Sequence, residues 1–354
     1  MTATEKPRHP DTQELAPRVV AWESTRACNF ACVHCRAKAQ KIADPNQLTT
    51  QEALRLVDQI AELCKPIFII SGGDPMQRKD IFEVASYASK KGLRVVMSPS
   101  GSNLNAETFQ QMKAAGVKMI SLSLDGSSPE VHDTFRQVPG AFNLAIRNMM
   151  LARQSGFPFR VNTTVTQHNL SDLFNIQKVA AENGAAEWDV FMLVPTGRGK
   201  VQMEITPDQY EATIQSIYCA SLTLPMPIKM TCAPQYTRVI AQYQKTAQPS
   251  QPHGRPIGGG RGCMAGNGFC FISHIGEVYG CGFLPVAAGD IHKQSFKQIY
   301  QQSPLFLQLR NHVLLKGKCG DCEYKAMCGG CRARALSVYE DYLKEEPFCV
   351  YKPK

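Results

Sequence analysis

The chain has 354 residues, 44% of them hydrophobic and 19% charged, a globular composition that excludes intrinsic disorder and allows one large domain or two ordinary ones. No apolar run approaches the ~18 residues of a spanning helix, and residues 1–18 lack the apolar stretch of a signal peptide, so a cytoplasmic protein without a membrane partner is expected. The net charge of +9 suits an anionic ligand, but the basic residues form no block and no aromatics interleave with them, which excludes a nucleic-acid platform.

Past a tail at residues 1–17, the sequence from 18 to 235 alternates short β-branched or apolar runs with amphipathic stretches. The first expected strand, Val19–Trp22, leads into Cys28-Asn29-Phe30-Ala31-Cys32-Val33-His34-Cys35, a C-x3-C-x2-C spacing. Three thiolates on one short loop can ligate three irons of a four-iron cluster and leave the fourth open. An expected helix, Thr50–Leu63, precedes the strand Ile67–Ser71, which runs into Gly72-Gly73-Asp74-Pro75. Glycines there let a ligand approach the backbone, and the acid can pair with a cation. The helix Asp80–Lys91, strand Val95–Ser98, helix Ala106–Ala115 and strand Met119–Leu124 follow. Next come the helix Ala141–Gln154, strand Val161–Val165, helix Leu170–Asn183 and strand Val190–Val194. Strands separated by helices predict parallel βα units with right-handed crossovers, closing into a full or partial α/β barrel with its ligand site at the C-terminal strand ends.

A linker or mobile loop is expected over residues 236–262, where Thr246–Gly262 is rich in proline, glycine and serine. From 263 to 354 the rhythm fades into cysteine-rich turns and a hairpin-like segment, FCFISHIGEVYGCGF. The chain has 14 cysteines, and without an export signal these point to metal rather than to disulfides, because cytosolic thiols are kept reduced. Eight of them fall in the C-terminal region: Cys263-x12-Gly276-x4-Cys281 with Cys270 between, then Cys319-x2-Cys322-x5-Cys328-x2-Cys331, then Cys349. Zinc ribbons usually separate their C-x2-C pairs by more residues than this, which favours iron–sulfur over zinc. Of the remaining three, Cys64 and Cys219 lie in helix-like stretches and are expected as small buried hydrophobes. Cys232, in MTCAPQY after a possible further strand, is expected to pack in the core rather than face a cavity.

The cysteine loop and the order of motifs behind it resemble the radical S-adenosylmethionine (radical SAM) superfamily. The resemblance implies a partial (β/α)6 TIM-like barrel over 18–235, with Cys28, Cys32 and Cys35 holding a [4Fe-4S] cluster whose open iron is chelated by S-adenosylmethionine. It further implies that Gly72, Gly73 and Asp74 receive the methionine ammonium, and that Ser98, Ser100, Ser123 and Asp125 meet the methionine and ribose. Arg136 would pair with the carboxylate, while Asn162, Thr164, Leu193 and Val194 would line the ribose and adenine. His34 stands where much of the superfamily has an aromatic residue and is expected as a packed or surface histidine, with an extra polar contact as the alternative. The region 263–354 resembles the SPASM domain, a carrier of auxiliary [4Fe-4S] clusters. This implies one set of Cys263, Cys270, Cys281 and Cys331 and another of Cys319, Cys322, Cys328 and Cys349. The string ends in C-x2-C where that family has C-x3-C, which leaves the ligand partition open; the alternative is a single auxiliary cluster, held by the Cys319 string with Cys349.

The segments AWESTRACNFACVHCRA, NTTVT, FMLVPTGRG, MTCAPQY, GNGFCFISHIGEVYGCGFLP and CEYKAMCGGCRARA are similar to the heme synthases of the siroheme-dependent pathway and to their relatives in d-type heme synthesis, over nearly all of the chain beyond residue 18. This implies Fe-coproporphyrin III as substrate, with two propionates converted to vinyl groups with loss of carbon dioxide, and a low-potential electron donor as partner. The implied steps are hydrogen abstraction β to the carboxylate, then release of carbon dioxide and one electron to an auxiliary cluster. The substrate's four carboxylates suit the positive charge and make Arg198, Arg261, Arg332 and Arg334 candidate contacts. His274 and His253 are candidates for meeting the substrate iron. Two other readings stay open: the same chemistry on a peptide, and a non-enzymatic electron carrier, which would need neither an open iron nor the glycine-glycine-acid loop.

Overall fold

A computed structural model describes residues 15–246 and 262–354. Parallel strands covered on both faces need near-continuous apolar and β-branched runs. The chain supplies seven: β1 (Val19–Glu23), β2 (Ile67–Ser71), β3 (Arg94–Met97), β4 (Met119–Ser123), β5 (Phe159–Val165), β6 (Glu187–Met192) and β7 (Ile228–Thr231). Between and after them run α1 (Thr50–Leu63), α2 (Ile81–Lys90), α3 (Ala106–Ala114), α4 (Pro129–Arg136), α5 (Ala141–Gln154), α6 (Leu173–Glu182), α7 (Pro207–Thr223) and α8 (Gln235–Thr246). Every strand and helix expected from the sequence is present, and β7 extends the parallel set.

Local chemistry sets the boundaries. Thr49 accepts the Glu52 N–H and Glu52 reaches back to the Thr49 N–H at 2.8 Å, a capping box that starts α1. Its buried residues Ala53, Leu56, Val57 and Ile60 form a helical stripe against the sheet. The helix expected from Leu170 begins as a 3-10 turn, Leu170–Asp172. There the Asn169 amide holds the carbonyls of Asp125 and Thr164, at 3.0 and 2.9 Å, and turns the chain.

Among the described residues the sheet has ten strands in the order β10-β9-β8-β1-β2-β3-β4-β5-β6-β7, an open, partial barrel. Here β8 (Phe269–Ile272) pairs in parallel with β1, while β9 (Glu277–Tyr279) and β10 (Ala287–Asp290) are antiparallel additions. The cysteine-rich region therefore continues the barrel sheet from its β1 edge. The expected hairpin is β8–β9, turning at Gly276 with φ of +88°. The linker expected from residue 236 begins later, because α8 continues to Thr246 with Tyr236 and Val239 buried in the core. The rest of that segment, 247–261, lies outside the described residues. No helix among the described residues is long and apolar enough to cross a membrane.

Candidate active site and metal centres

In-register pairing of Glu23 with Ser71 brings the loops after β1 and β2 out side by side. They then bind backbone to backbone: the Gly73 N–H donates to Thr25 O and the Asp74 N–H to Ala27 O, both at 2.7 Å. A Cβ on Gly73 would stand 2.5 Å from Ala27 O and 2.6 Å from Arg26 O, so glycine is required for the second loop to close on the backbone leading into Cys28. Gly73→Ala is expected to displace that loop and weaken S-adenosylmethionine binding by about tenfold or more, roughly 1.4 kcal/mol. Equilibrium binding to the iron-loaded protein checks this, and unchanged affinity would refute it.

A cavity of about 260 Å³ opens at the C-terminal strand ends. It is lined by Cys28, Cys32 and Cys35 together with Gly72, Gly73, Ser98, Ser100, Ser123, Arg136, Asn162, Thr164, Leu193 and Val194, all expected from the sequence. Two expected residues stand behind it instead. Asp74 is fully buried and accepts from Ser100 Oγ at 2.6 Å, Ser102 Oγ at 3.1 Å and the Met76 N–H at 3.1 Å. Its charge is spent on holding the loop after β3 rather than facing a cation. Asp125, also fully buried, accepts the Thr164 N–H at 2.7 Å and pairs with Arg136, whose other terminal nitrogen lies 3.5 Å from Cys32 Sγ. Arg136 thus carries positive charge from a buried acid to an expected cluster ligand. His34 lines the cavity, stacked on Phe135 at 4.3 Å. Burial, reinforced by Arg136, Arg198 and His132, pushes it well below the usual histidine range, so the ring is neutral at pH 7.

The sequence reading missed Arg36, Glu23 and Phe283. Arg36 sits 4.3 Å over the Phe271 ring and donates to Glu23 at 2.6 Å and to Gly282 O at 3.4 Å, tying the cysteine loop to the C-terminal region. Burial alone would raise the Glu23 carboxyl, but His274, Arg36 and Arg26 outweigh it and hold the group at about 2. Phe283, from the turn after β9, also lines the cavity.

The candidate propionate and iron contacts are placed otherwise. Arg198 donates to Cys32 O and Ala39 O at 2.9 and 2.8 Å and so braces the cysteine loop. Arg332, buried, donates to Tyr342 O and Lys344 O, at 2.8 and 2.7 Å. Arg334, fully buried, is held between Glu204 and Glu346. His274 spends both ring nitrogens, one on Glu23 and one on Asp44, at 3.0 and 3.2 Å. Arg261 and His253 lie outside the described residues. The sequence marked these groups by charge alone, and their hydrogen bonds and ion pairs assign the described ones to the scaffold.

The cysteines fit iron–sulfur clusters. Backbone N–H groups point at sulfur: Phe30 to Cys28 and Ala39 to Cys35, each at 3.4 Å, and Phe283 to Cys281 at 3.5 Å. Tyr324 does the same for Cys322 at 3.4 Å and Glu346 for Cys319 at 3.3 Å. Hydrogen bonds to sulfur are among the levers that set cluster potentials. Burial pushes the thiols of Cys28, Cys281 and Cys349 up to about 11, so only bonded metal would keep these sulfurs ionised. Cys319, Cys322, Cys328 and Cys349 ring one small cavity of about 30 Å³. Four thiolates on one zinc, each at ~2.3 Å, would crowd together. Among the described residues no three His, Cys, Asp or Glu side chains gather closely enough for a single ion.

Cys270 is fully buried on β8, within electrostatic reach of Cys64 and Arg310. One cysteine departs from the burial expected of it. Cys219 is exposed, because it falls between the buried positions Ile217, Tyr218 and Ser221 of α7 and faces outward.

An open parallel sheet with a three-cysteine loop after its first strand and a cysteine-rich extension defines a radical SAM enzyme carrying an iron–sulfur domain. Residues 22–176 match the radical SAM superfamily and residues 263–332 the SPASM iron–sulfur cluster-binding domain. The chain is 44% identical to the AdoMet-dependent heme synthase of Methanosarcina barkeri, over 96% of this chain and 97% of that one. Identity is likewise 44% to that of Nitratidesulfovibrio vulgaris, over 95% and 93%. The chain belongs to the family of AdoMet-dependent heme synthases. Its fold is that of Streptococcus suis SuiB bound to S-adenosylmethionine, with a TM-score of 0.72 at 15% identity over 95% of this chain and 78% of that one.

Proposed function

We propose that the protein converts two propionates of Fe-coproporphyrin III to vinyl groups, giving protoheme, in the cytoplasm and with a low-potential electron donor. What carries this reading is the meeting of the three-cysteine loop with the strand-end cavity in a chain of that family.

Cys28, Cys32 and Cys35 would hold the first cluster, and the cavity beside them S-adenosylmethionine. When bound, these supply a hydrogen-abstracting deoxyadenosyl group and the auxiliary centre an electron acceptor, so that each propionate yields a vinyl group and carbon dioxide, its hydrogen going to deoxyadenosine and its electron to the acceptor. The chain's own residues do the positioning. Asp74 fixes the Ser100 and Ser102 hydroxyls, Arg136 holds charge beside Cys32, and Arg198 pins the loop carbonyls. Phe30, Phe191, Leu193 and Phe283 give the cavity an apolar wall that keeps water and competing hydrogen donors from a reactive centre.

Anaerobic incubation of the iron-loaded protein with dithionite, S-adenosylmethionine and Fe-coproporphyrin III is expected to give protoheme, followed by chromatography and absorbance. Unchanged porphyrin alongside accumulating 5′-deoxyadenosine would overturn the substrate.

A further inference from the structure

We infer that Cys232, and not Cys270, is the fourth thiolate of the auxiliary centre whose other ligands are Cys263, Cys281 and Cys331. Strand parity removes Cys270. Successive side chains of a strand point to opposite faces, and its neighbour Phe271 lies under Arg36, which lines the strand-end cavity. Cys270 therefore faces the other way, toward the helix layer, where Cys64 closes the C-terminal end of α1.

Cys232 sits where a fourth ligand is needed. It follows the last residue of β7, at the C-terminal end of the parallel sheet where the cavities lie. Its backbone is left-handed, with φ of +59°, a conformation that non-glycine residues hold at a cost and that gathers at functional sites. Tyr210 enforces it, its hydroxyl donating to the Cys232 carbonyl at 3.0 Å. The same Tyr210 ring lies 5.2 Å from the Arg334 guanidinium, on the helix that Cys331 opens. Cys331, Cys281 and Cys263 all lie within electrostatic reach of the half-buried Cys232 thiol, and Cys263 within reach of both Cys281 and Cys331. A cysteine that merely filled core volume would need neither the strained backbone nor three thiol neighbours. The four come from distant parts of the chain, so the centre would fasten the end of the barrel strands to the C-terminal region.

The test uses the full chain with Cys28, Cys32 and Cys35 all changed to alanine, which leaves auxiliary iron alone to be counted. Adding Cys232→Ala is expected either to lose the iron of one cube, about four atoms per chain, or to leave a cluster whose EPR spectrum shifts on addition of a small thiol that fills the vacated iron. Adding Cys270→Ala is expected to change neither. Cys232→Ser, close in volume, covers a failure of the alanine variant to fold, since an oxygen ligand still alters the EPR spectrum. Iron content and spectra equal to the parent in the Cys232 variants, or cluster loss in a folded Cys270→Ala, would overturn the inference. None of these readouts depends on the porphyrin reaction.

Discussion

Cys32→Ala is expected to lower reductive cleavage of S-adenosylmethionine by more than about a thousandfold, the scale seen when one member of a group that acts as a unit is removed. Cys32 is buried in the floor of the strand-end cavity and is the one of its three cysteines that Arg136 reaches. Water could not replace the lost thiolate there, because it is a neutral, weaker ligand and would leave the iron's charge uncompensated beside a buried loop. Arg136 itself would remain paired with Asp125, so the fold should survive and the auxiliary iron should stay. 5′-Deoxyadenosine formed per minute under dithionite, together with iron per chain, decides the matter. Cleavage at the wild-type rate would show that these three sulfurs do not hold the reactive centre.

What could be seen in the sequence follows from how local each signal is. The three-cysteine loop is one short segment after one strand, and the parallel strands announce themselves through β-branched runs, so both were legible. Asp74 and Asp125 were legible as positions but not as roles. Whether a carboxylate faces a cavity or backs it depends on Ser100, Ser102 and Arg136, which come from other loops. The exchange of Cys270 for Cys232 that we infer has a similar reason. The spacing counts residues along the chain, whereas parity on β8 and the meeting of β7 with the C-terminal region are set by the sheet. Arg332 and Arg334 stood as candidate propionate contacts because nothing local reveals that carbonyls and carboxylates from distant segments enclose them.

Arg334→Leu is expected to cost about 3–5 kcal/mol of stability, the range for stripping one partner from a buried ion pair. Arg334 is fully buried, donates to Leu193 O at 2.7 Å, and lies 3.3 Å from both Glu204 and Glu346. It is the cation that lets the barrel, through Leu193 and Glu204, dock on the C-terminal region, through Glu346. Glu346 in turn accepts the Cys331 N–H at 2.7 Å and donates its own N–H to Cys319 Sγ at 3.3 Å, so its displacement should loosen both auxiliary cysteine sets and release iron. The pH dependence has a definite sign. Burial pushes Glu204 up to about 7 despite Arg334, above its ordinary value of 4.5. The folded protein thus keeps a proton there that the unfolded chain has already lost, and wild-type stability falls as pH rises from about 4.5 to 7. Without Arg334 both carboxylates lack their cation, so the loss should be largest above pH 7 and shrink on acidification as Glu204 takes up its proton. Urea unfolding at pH 8 and pH 6 measures this, with Arg334→Lys expected to be intermediate because it restores charge but not the three-sided contact. A loss within about 0.5 kcal/mol of zero at pH 8, the range of ordinary surface substitutions, would mean that the two regions are held together without this cation.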